Sequence, residues 1–496
     1  MSYGELLQLA APECVLVLTL LAILAIDLTA MRDVDARVRF IVGGMIGCVG
    51  CLASILLLLV LQPHGEVAGG IFVADPLTAF VKIGLLALTI FTVLISMESN
   101  FTTHVGEYLS LILMATVGMM FLVSAEDILM IFVSLELTSL SLYILTAFNK
   151  RERKSAEAAL KYFLFGGIAA AFMLFGLSLI YGLTGATNLK LIAEALGGKG
   201  FDPLLVVAIV MTVIGFGFKV AAVPFHLWAP DAYEGAPAPS AAFIASGSKV
   251  ASFFIFGKVM MLGFAGAEGS GAYREFVAGW VPVIAILAVL SMVLGNLVAI
   301  VQTSVKRLLA YSAVAHAGYV LLAVLAHDEQ AMSSLIYYTL TYGLTTIGAF
   351  GVIAAVEDKL GSDSLQSFAG LSRRAPFVSF CMFIFMLSLA GIPPLAGFFG
   401  KFFIFAAVLK GGAANLGLLW LVIIAIAMSA VSFYYYLKVL KQIYVEAPAG
   451  ERATLPVSGL TQAALGLMAA GVILLGCAPG LIVERLAALL LLGGHP

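Results

Sequence analysis

Residues 203–228 read PLLVVAIVMTVIGFGFKVAAVPFHLW, a run in which Lys219 and His226 are the only side chains that carry or can acquire a charge. A transmembrane helix needs about 20 mostly apolar residues to cross about 30 Å of hydrocarbon, and this run is long enough. Pro224 lacks a backbone N–H and breaks a helix where it stands. The stretch therefore predicts a membrane-spanning helix that is interrupted close to a lysine.

Comparable apolar runs fill the rest of the chain. Hydrophobic residues make up 62% of the 496 residues, and Asp, Glu, Lys and Arg make up 11%, against roughly 25% in a soluble domain. This excludes a soluble globular protein. The runs lack two-residue alternation and contain many of the 50 glycines, which favours helices packed through small residues over a β-barrel. We predict an all-α polytopic membrane protein with about 14 transmembrane helices, at residues 13–31, 40–61, 77–96, 108–124, 128–148, 155–183, 203–228, 237–263, 281–301, 306–326, 331–356, 376–410, 415–443 and 458–480.

The basic residues predict the orientation of these spans. Loops after odd-numbered spans hold fifteen Lys and Arg, and the other loops hold five. Because cytoplasmic loops carry the excess of positive charge, both termini are predicted on the periplasmic side of a bacterial inner membrane. No Lys or Arg precedes the first apolar run, so we interpret it as a retained helix rather than a signal peptide.

Six lysines remain inside the apolar runs, where an ionisable group costs about 2.5 to 3.5 kcal/mol on insertion scales and is a functional hypothesis by default. Two of them lie near the predicted outer ends of their spans and are expected to extend to the membrane surface. A third, in span 6, has Glu157 four positions before it, which predicts a helix ion pair and leaves function and surface extension both open. The two lysines near the outer ends are Lys82 and Lys258, and the lysine in span 6 is Lys161. The remaining three lie deep in their spans and are Lys219, Lys249 and Lys401.

One acidic residue, Glu136, lies in the middle of a span, in the segment IFVSLELTSLSLY. Burial favours the neutral form of a lysine, whereas a nearby carboxylate favours the charged form. A glutamate among buried lysines can therefore switch their proton affinity, which predicts a proton relay. The alternative is an interhelical ion pair with a structural role, and this also requires a buried cation.

A second interrupted span contains GIPPLAGFFGK, with Pro393 and Pro394 ahead of Lys401. Interrupted spans at corresponding places in two halves point to a transport site built from broken helices. Lys219 and Lys401 each follow a Gly/Phe cluster and are 182 positions apart, which predicts two inverted repeats of five helices. The predicted divisions are an N-terminal three-helix segment at 1–107, the first repeat at 108–263 (spans 4–8), the second at 281–443 (spans 9–13), and helix 14 with a tail at 444–496.

Nearly the same spacing pairs Glu136 with His316, in AYSAVAHAGYV. A buried histidine is often only a packed, hydrogen-bonded side chain. Its ordinary pKa near neutrality nevertheless suits proton transfer, and we predict that His316 is a relay group linking the two repeats.

Machinery for redox chemistry or ATP hydrolysis is missing from the sequence. The Cys48 and Cys51 pair stands alone inside an apolar run and is interpreted as packing. Zinc and iron–sulfur ligand patterns, nucleotide loops and paired haem histidines are not evident. A net charge of −2 without a basic face excludes nucleic acid as a partner. We therefore predict no cofactor in this chain and an energy source in an ion gradient or a partner.

The motifs resemble those of the antiporter-like membrane subunits of respiratory complex I, the proton-translocating NADH-quinone oxidoreductase. The resemblance covers essentially the whole chain. The stretch APDAYEGAPAPSAAF, and a lysine at the end of GIPPLAGFFGK, resemble the subunit N type. The matching segments are Glu136 in span 5, Lys219 in span 7, PFHLWAPDAYEGAPAPSAAFIASGSK at 224–249, QTSVKRLLAYSAVAHAGY at 302–319 and GIPPLAGFFGKF at 391–402.

The resemblance implies a role for each candidate residue. Glu136 and Lys219 form a switchable pair, Lys249 is the central relay, and Lys401 exchanges protons with the far side. Lys161 resembles an additional lysine of the family, and His226 and His316 resemble polar links toward the cytoplasm and between the repeats.

The resemblance also implies partners. Quinone reduction in neighbouring subunits would drive the protons, and FMN, iron–sulfur clusters and quinone are expected in those subunits. The chain would be part of a hetero-oligomer, in contact with adjacent antiporter-like and small helical subunits and with lipids.

Three alternatives stay open at this point. The chain could belong to a multisubunit Mrp-type cation/proton antiporter, to an ion-pumping hydrogenase complex, or to a complex in which it is a non-pumping structural subunit. The APDAYEGAP stretch at 229–237 favours complex I over the first two. The cost of burying lysines weighs against the third.

Overall fold

A computed structural model describes residues 3–197, 202–273, 275–326, 330–410, 417–447 and 454–493. Within these ranges, thirteen helices are long and apolar enough to cross a membrane. The remaining predicted span, 376–410, consists of two shorter helices separated by a break. The predicted all-helical membrane fold is confirmed.

The N-terminal part contains three long helices, with a short hairpin between the second and the third. Helix α4 starts with a capping box, in which Asp75 and Thr78 satisfy each other's backbone N–H groups, followed by Pro76. The two hairpin strands pair antiparallel. The elements are α1 (Tyr3–Leu9), α2 (Ala11–Leu28), α3 (Ala36–Leu61), β1 (Gly65–Val67), β2 (Phe72–Ala74) and α4 (Pro76–Ser96).

The middle of the chain contains the first interrupted span, formed by α9 and α10. Asp127 caps the N-terminus of α6 (Ile128–Thr146), because its side chain accepts hydrogen bonds from the N–H groups of Leu129 and Met130. A five-residue π-helical turn, Val259–Gly263, follows α12. The helices are α5 (Val105–Val123), α6 (Ile128–Thr146), α7 (Arg153–Thr184), α8 (Leu189–Leu196), α9 (Pro203–Val220), α10 (Trp228–Gly235), α11 (Ala238–Ala245) and α12 (Gly247–Lys258).

The last part contains the second interrupted span, formed by α17 and α18. A second antiparallel hairpin and a 3-10 turn at Leu365–Phe368 connect its helices. The elements are β3 (Ser270–Ala272), β4 (Glu275–Val277), α13 (Trp280–Ile300), α14 (Val305–Leu325), α15 (Ala331–Leu360), α16 (Leu371–Arg374), α17 (Pro376–Ala390), α18 (Ala396–Lys410), α19 (Leu419–Tyr444), α20 (Gly459–Cys477) and α21 (Gly480–Gly493).

Both predicted helix breaks occur where proline removes a backbone donor. The first break lies at Pro224, between α9 and α10, and the second at Pro393 and Pro394, between α17 and α18. At the first break, a backbone carbonyl near the end of α9 has a side-chain partner in place of a helical N–H. The indole N–H of Trp228 donates to the carbonyl of Phe218 at 3.0 Å.

A third break, in span 8, was not predicted. Ser246 leaves the helical region with φ −118° and ψ −84°, which separates α11 from α12. Its hydroxyl donates to the carbonyl of Ala242 at 2.7 Å, four positions back. A serine bonded in this way competes with the backbone ladder, and Gly247 follows it.

Small residues let the helices approach closely. At Gly295 in α13, an added Cβ atom would lie 2.5 Å from the backbone nitrogen of Ala315 in α14. At Gly176 in α7, it would lie 2.7 Å from the backbone nitrogen of Thr212 in α9. These glycines allow close helix contacts, as expected inside a membrane bundle.

The most enclosed spans lie in the centre of the bundle. The apolar window of Ala238–Gly263 is 100% buried and that of Val305–Leu325 is 94% buried. These spans carry Lys249 and His316. The outer helices, such as α3 and α7, instead expose apolar side chains on one face.

Candidate functional site

A pair of oppositely charged side chains joins α6 to α9. The Nζ atom of Lys219 lies 3.0 Å from Oε1 of Glu136, and it donates a hydrogen bond of 2.5 Å to the hydroxyl of Ser139. Ser139 follows Glu136 by three positions, so both side chains lie on one face of α6. The structure brings together the two residues that the sequence singled out.

The end of α9 places Lys219 beside this glutamate. Lys219 occupies the last turn of α9, and Ala221 ends the helix with a left-handed φ of 58°. The last carbonyl groups of a helix carry partial negative charge and stabilise a cation. The position of Lys219 in the last turn of α9 is thus favourable for a positive charge, in addition to the contact with Glu136.

Glu136 lies at the lateral surface of the chain. Its side chain is 24% exposed, whereas that of Lys219 is 7% exposed. On the same face of α6, Val133 and Leu140 are 59% and 51% exposed. Glu136 thus lies halfway along its helix, as predicted, but at the edge of the packed core.

Lys161 belongs to a network of charges near the start of α7. Its Nζ atom lies 2.8 Å from Glu157, as predicted, and 2.8 Å from Asp231 in α10. Nη1 of Arg307 in α14 lies 2.8 Å from both Asp231 and Glu234. Burial opposes ionisation of Asp231, but the hydrogen bonds from Lys161 and Arg307 hold the pKa of Asp231 below its usual range. The network ties α10, the second half of the broken span, to α7 and α14.

Lys249 lies in the centre of the bundle without a carboxylate partner among the described residues. Its side chain is buried, and Nζ donates to the carbonyl of Ala313 in α14 at 2.9 Å. The unpredicted break at Ser246 lies less than one turn before it.

His316 lies on α14 between two tyrosines. Its Nδ1 atom is 2.6 Å from the hydroxyl of Tyr338 in α15, and its Nε2 atom is 3.0 Å from the hydroxyl of Tyr436 in α19. Both ring nitrogens have partners, so His316 has a defined orientation.

Lys401 lies one turn into α18 and crosses the second helix break. Its Nζ atom donates to the carbonyls of Leu389 and Ala390, the last residues of α17, at 3.3 and 3.2 Å. It also donates to the hydroxyl of Ser429 at 2.9 Å. The C-terminal end of one half-helix therefore holds the lysine of the other half.

Lys219 and Lys401 differ in their position relative to the breaks. Lys219 precedes the first break, at the end of α9, whereas Lys401 follows the second break, in α18. Their similar Gly/Phe surroundings therefore do not make them equivalent in the fold. Lys219 belongs to the last turn of α9, whereas only the amine of Lys401 reaches the C-terminal end of a half-helix, α17.

His226 lies inside the first break and is buried. Its ring packs edge-on against Tyr311, with ring centroids 6.4 Å apart. Within the described residues it makes no hydrogen bond to any of the six predicted lysines. Its predicted role as a polar link is therefore not carried by a direct contact.

The prediction that Lys82 and Lys258 extend to the surface is wrong. Lys82 is buried and lies 2.7 Å from Glu13 of α2, which is equally buried. Lys258 is buried and lies 2.9 Å from Glu126, a fully buried carboxylate that Lys190 also approaches at 3.2 Å. The lysines stay inside because each meets a carboxylate from a distant part of the chain.

Lys306 is also buried, although it is not among the six lysines that the sequence placed inside the apolar runs. Its side chain is 2% exposed, and Nζ lies 2.7 Å from Glu357 and 3.2 Å from the carbonyl of Ala236. The sequence contained part of this information, since Ser304 is a typical N-cap residue and Lys306 follows it within the first turn of α14. The Ser304 side chain accepts a hydrogen bond from the backbone N–H of Arg307.

Among the described residues, no group of three or more His, Cys, Asp or Glu side chains lies close enough to hold a metal ion. The predicted relay groups instead lie on five different helices. They are Glu136, Lys219, Lys249, His316 and Lys401.

Comparisons with known proteins agree with this arrangement. The family model described as NADH:quinone oxidoreductase/Mrp antiporter, transmembrane, matches residues 125–429. NADH-quinone oxidoreductase subunit N 2 of Acidobacterium capsulatum is 51% identical over 496 residues, which cover 98% of this chain and 99% of that protein. A chain of respiratory complex I from Thermus thermophilus with bound aureothin superimposes with a TM-score of 0.77 at 33% identity, over 96% of this chain and 99% of that chain. A chain of the Mrp complex from Dietzia sp. DQ12-45-1b has a TM-score of 0.80 at 20% identity, over 97% of both chains, and shares the fold alone.

Proposed function

Because the chain belongs to the subunit N family of NADH-quinone oxidoreductases, we propose that its buried glutamate, lysines and histidine conduct protons across the membrane. The chain is a multi-pass membrane subunit of an oxidoreductase complex and associates with other membrane subunits. The observation that carries the proposal is the pair formed by Lys219 and Glu136, at 3.0 Å. It is followed along the bundle by Lys249, His316 and Lys401, none of which has a carboxylate partner in the described part of the chain.

The Glu136 and Lys219 pair is the switch of this path. When Glu136 is close, its negative charge holds the proton on Lys219. When the pair is separated or Glu136 is protonated, Lys219 remains buried without a counter-ion and releases its proton to the interior of the bundle. Lys249 then receives the proton, and Lys401 passes it to the far side.

A neighbouring subunit is the natural source of the perturbation. Glu136 lies at the lateral surface of the chain, between exposed Val133 and Leu140. A charged carboxylate that faces hydrocarbon is costly, so a polar surface of an adjacent subunit completes the surroundings of Glu136. Moving one charge against 100 mV costs about 2.3 kcal/mol, and quinone reduction in the partner subunits supplies this energy.

Lys161 and His226 serve proton uptake on the cytoplasmic side in this proposal. Lys161 is 41% exposed and paired with two carboxylates, which suits exchange with water. His226 lies inside the helix break between Lys161's partner helix α10 and the end of α9. FMN, iron–sulfur clusters and quinone belong to partner subunits. The membrane is a bacterial inner membrane, with both termini on the periplasmic side.

The division into repeats at 108–263 and 281–443 is supported by two matching β-bridges. Asp127 pairs with Asn188 in the first repeat, and Ser304 pairs with Ser364 in the second. Asp127 and Ser304 are the N-cap residues of α6 and α14. They are 177 positions apart, so His316 corresponds to Ser139, three positions from its predicted mate Glu136.

The experiment that tests the proposal removes either member of the switch in the assembled complex. Lys219→Ala and Glu136→Gln are expected to lower proton pumping, and the NADH-quinone activity coupled to it, about tenfold or more, the loss expected for a positioned proton-transfer group. Lys441→Ala, an exposed lysine paired with Glu446 at 3.0 Å, is the matched control and is expected to have no effect.

The measurement is the initial rate of proton uptake into proteoliposomes, divided by the amount of assembled complex. If both switch variants pump as fast as the Lys441→Ala control, the proposed path is refuted and a non-pumping structural role takes its place.

A further inference from the structure

A tryptophan side chain joins the two halves of the first interrupted span. Trp228 is the first residue of α10, and its indole N–H donates to the carbonyl of Phe218 in α9 at 3.0 Å. The bond reaches back ten positions in the sequence, across the break at Pro224. The indole side chain is 2% exposed, so water does not compete for the bond, and α10 is attached to the end of α9.

The carbonyl that accepts this bond belongs to the peptide group between Phe218 and Lys219. The same carbonyl accepts from the N–H of Ala221 at 3.0 Å, where the chain leaves α9 with a left-handed φ. One backbone donor and one side-chain donor therefore fix the plane of this peptide group. The Cα atom of Lys219 lies in that plane, so the two bonds also fix the point from which the side chain extends toward Glu136, 3.0 Å from its ammonium group.

Aromatic neighbours hold the indole ring in place. The ring stacks on Tyr162 of α7, with centroids 4.1 Å apart and an angle of 3° between the planes. It also lies against the ring of Phe218, with centroids 5.2 Å apart. Side chains packed this closely stay in one rotamer on average. The direction of the Trp228 N–H is therefore set by contacts with α7 as well as with α9.

The rest of α10 is attached to other helices by ion pairs. Asp231, three positions after Trp228, lies 2.8 Å from Lys161 of α7 and 2.8 Å from Arg307 of α14. Helix α10 is thus tied to α7 and α14 by charges, and to α9 by the indole. A displacement of α10 therefore reaches the Lys219 peptide group through the Trp228 bond as well as along the chain.

We propose that Trp228 is a positioning residue for proton transfer, which holds the peptide group of Lys219 so that its ammonium stays within reach of Glu136. This inference rests on the function proposed above. Trp228 does not carry the proton itself, because an indole N–H is a donor only. Without the indole N–H, the end of α9 is free to turn, and the contact between Lys219 and Glu136 becomes longer.

A second tryptophan in the chain provides a matched comparison. Trp280 is the first residue of α13, and its indole N–H donates to the carbonyl of Phe264 at 2.9 Å. Its side chain is 1% exposed. Neither residue adjoins a predicted relay group in the sequence. The Trp280 bond therefore has the donor, acceptor type, length and burial of the Trp228 bond, without the neighbouring lysine.

The test compares Trp228→Phe with Trp280→Phe in the complete complex, reconstituted in proteoliposomes. Each variant keeps an aromatic ring and removes one buried indole N–H, so both are expected to lose a similar amount of heat resistance in detergent. Only Trp228→Phe is expected to lower proton uptake per assembled complex, about fivefold or more, because a small misplacement of a reacting group slows transfer strongly. Trp280→Phe is expected to stay within about twofold of the unaltered complex.

The pH dependence of proton uptake shows whether Trp228 acts through Lys219. Burial favours a neutral lysine once the carboxylate is farther away, so in Trp228→Phe the fall of the rate at alkaline pH should begin about half a pH unit or more lower. Glu136→Gln removes the same carboxylate charge and is expected to move this fall in the same direction. Adding Trp228→Phe to Glu136→Gln should move it no further, because the two changes act on one contact.

Equal proton uptake in Trp228→Phe and Trp280→Phe would overturn the proposal. So would a slow Trp228→Phe complex whose alkaline fall coincides with that of the unaltered complex, since that is the result of a purely structural role. If Trp228→Phe fails to assemble, the benzothiophene analogue of tryptophan at position 228 keeps the double ring and replaces only the N–H by sulfur. The same expectations apply to it.

Lys219→Ala separates this inference from the proposed function. Slow pumping in Lys219→Ala with normal pumping in Trp228→Phe removes the positioning role and leaves the lysine path standing. Normal pumping in both refutes the positioning role together with the path.

Discussion

The ion pair between Lys82 and Glu13 gives a sharp test of how buried charge stabilises this bundle. Nζ of Lys82 lies 2.7 Å from the Glu13 carboxylate, and the two side chains are 2% and 1% exposed. The ammonium also lies 4.6 Å from the ring centroid of Phe72. The perturbation is Lys82→Met or Glu13→Gln alone, compared with the two changes together.

The expected magnitude follows from the burial. Removing one partner of a fully buried pair leaves the other charge uncompensated, which costs about 3 to 5 kcal/mol, whereas replacing both partners by uncharged side chains is often neutral or stabilising. Since about 1.4 kcal/mol corresponds to a factor of ten, each single variant is expected to shift the folding equilibrium by a factor of about a hundred or more. The double variant is expected to recover most of this loss.

The assay is the fraction of complex that stays assembled after heating in detergent, measured for the four combinations. Pumping per assembled complex should not change, because neither residue contacts the proposed path. A Lys82→Met complex as heat-resistant as the unaltered one would refute the reasoning, and so would a double variant that is no better than the single ones.

Two further predictions concern helix packing and pH. Gly295→Ala is expected to destabilise the folded bundle by about 1 to 3 kcal/mol through overpacking, because the added Cβ would meet the backbone of Ala315. Gly167→Ala, whose Cβ would have no atom within 4 Å, is expected to be neutral. The yield of assembled complex on a native gel distinguishes the two variants. Asp231 has a lowered pKa in the folded chain, so its contribution to stability is fully present above the unfolded value of about 3.9 and is lost as pH falls through the lower folded value. Asp231→Asn should therefore lower the heat resistance of the complex by a constant amount between about pH 5 and 8. The difference in heat resistance between the variant and the unaltered complex should become smaller in stronger acid. A difference that grows as the pH falls would contradict the pairing of Asp231 with Arg307.

The helical fold and the two proline breaks could be predicted because they depend on local chemistry. Apolar runs of the right length and the missing N–H groups of Pro224, Pro393 and Pro394 are visible in the sequence. The contact between Lys219 and Glu136 was also accessible, since one mid-span acid and few deep lysines leave few combinations.

The errors arose where a partner comes from a distant part of the chain. Lys258 meets Glu126, which lies in the connection before α6, and no local pattern indicates that contact. Lys82 meets Glu13 for the same reason. A lysine near a helix end has the same sequence pattern whether it reaches water or a buried carboxylate, so its position alone does not decide.

The tyrosines of the second half were missed for a different reason. Tyr338 and Tyr436 stand in apolar runs where an aromatic ring is ordinary core packing. Their hydroxyls acquire a partner only when α14, α15 and α19 come together around His316. Helix-to-helix geometry of this kind has no signature in a single sequence.

The contact between Lys401 and the carbonyls of Leu389 and Ala390 joins α18 to α17 across the helix break at residues 391–395. A change in the angle between α17 and α18 would alter the distance between the Lys401 amine and the carbonyl groups at the end of α17. We therefore expect the angle between the two half-helices to affect how firmly Lys401 holds its proton. A neighbouring subunit that moves α17 or α18 would then change the surroundings of the Lys401 amine without transferring an electron, a ligand or a phosphate to the chain.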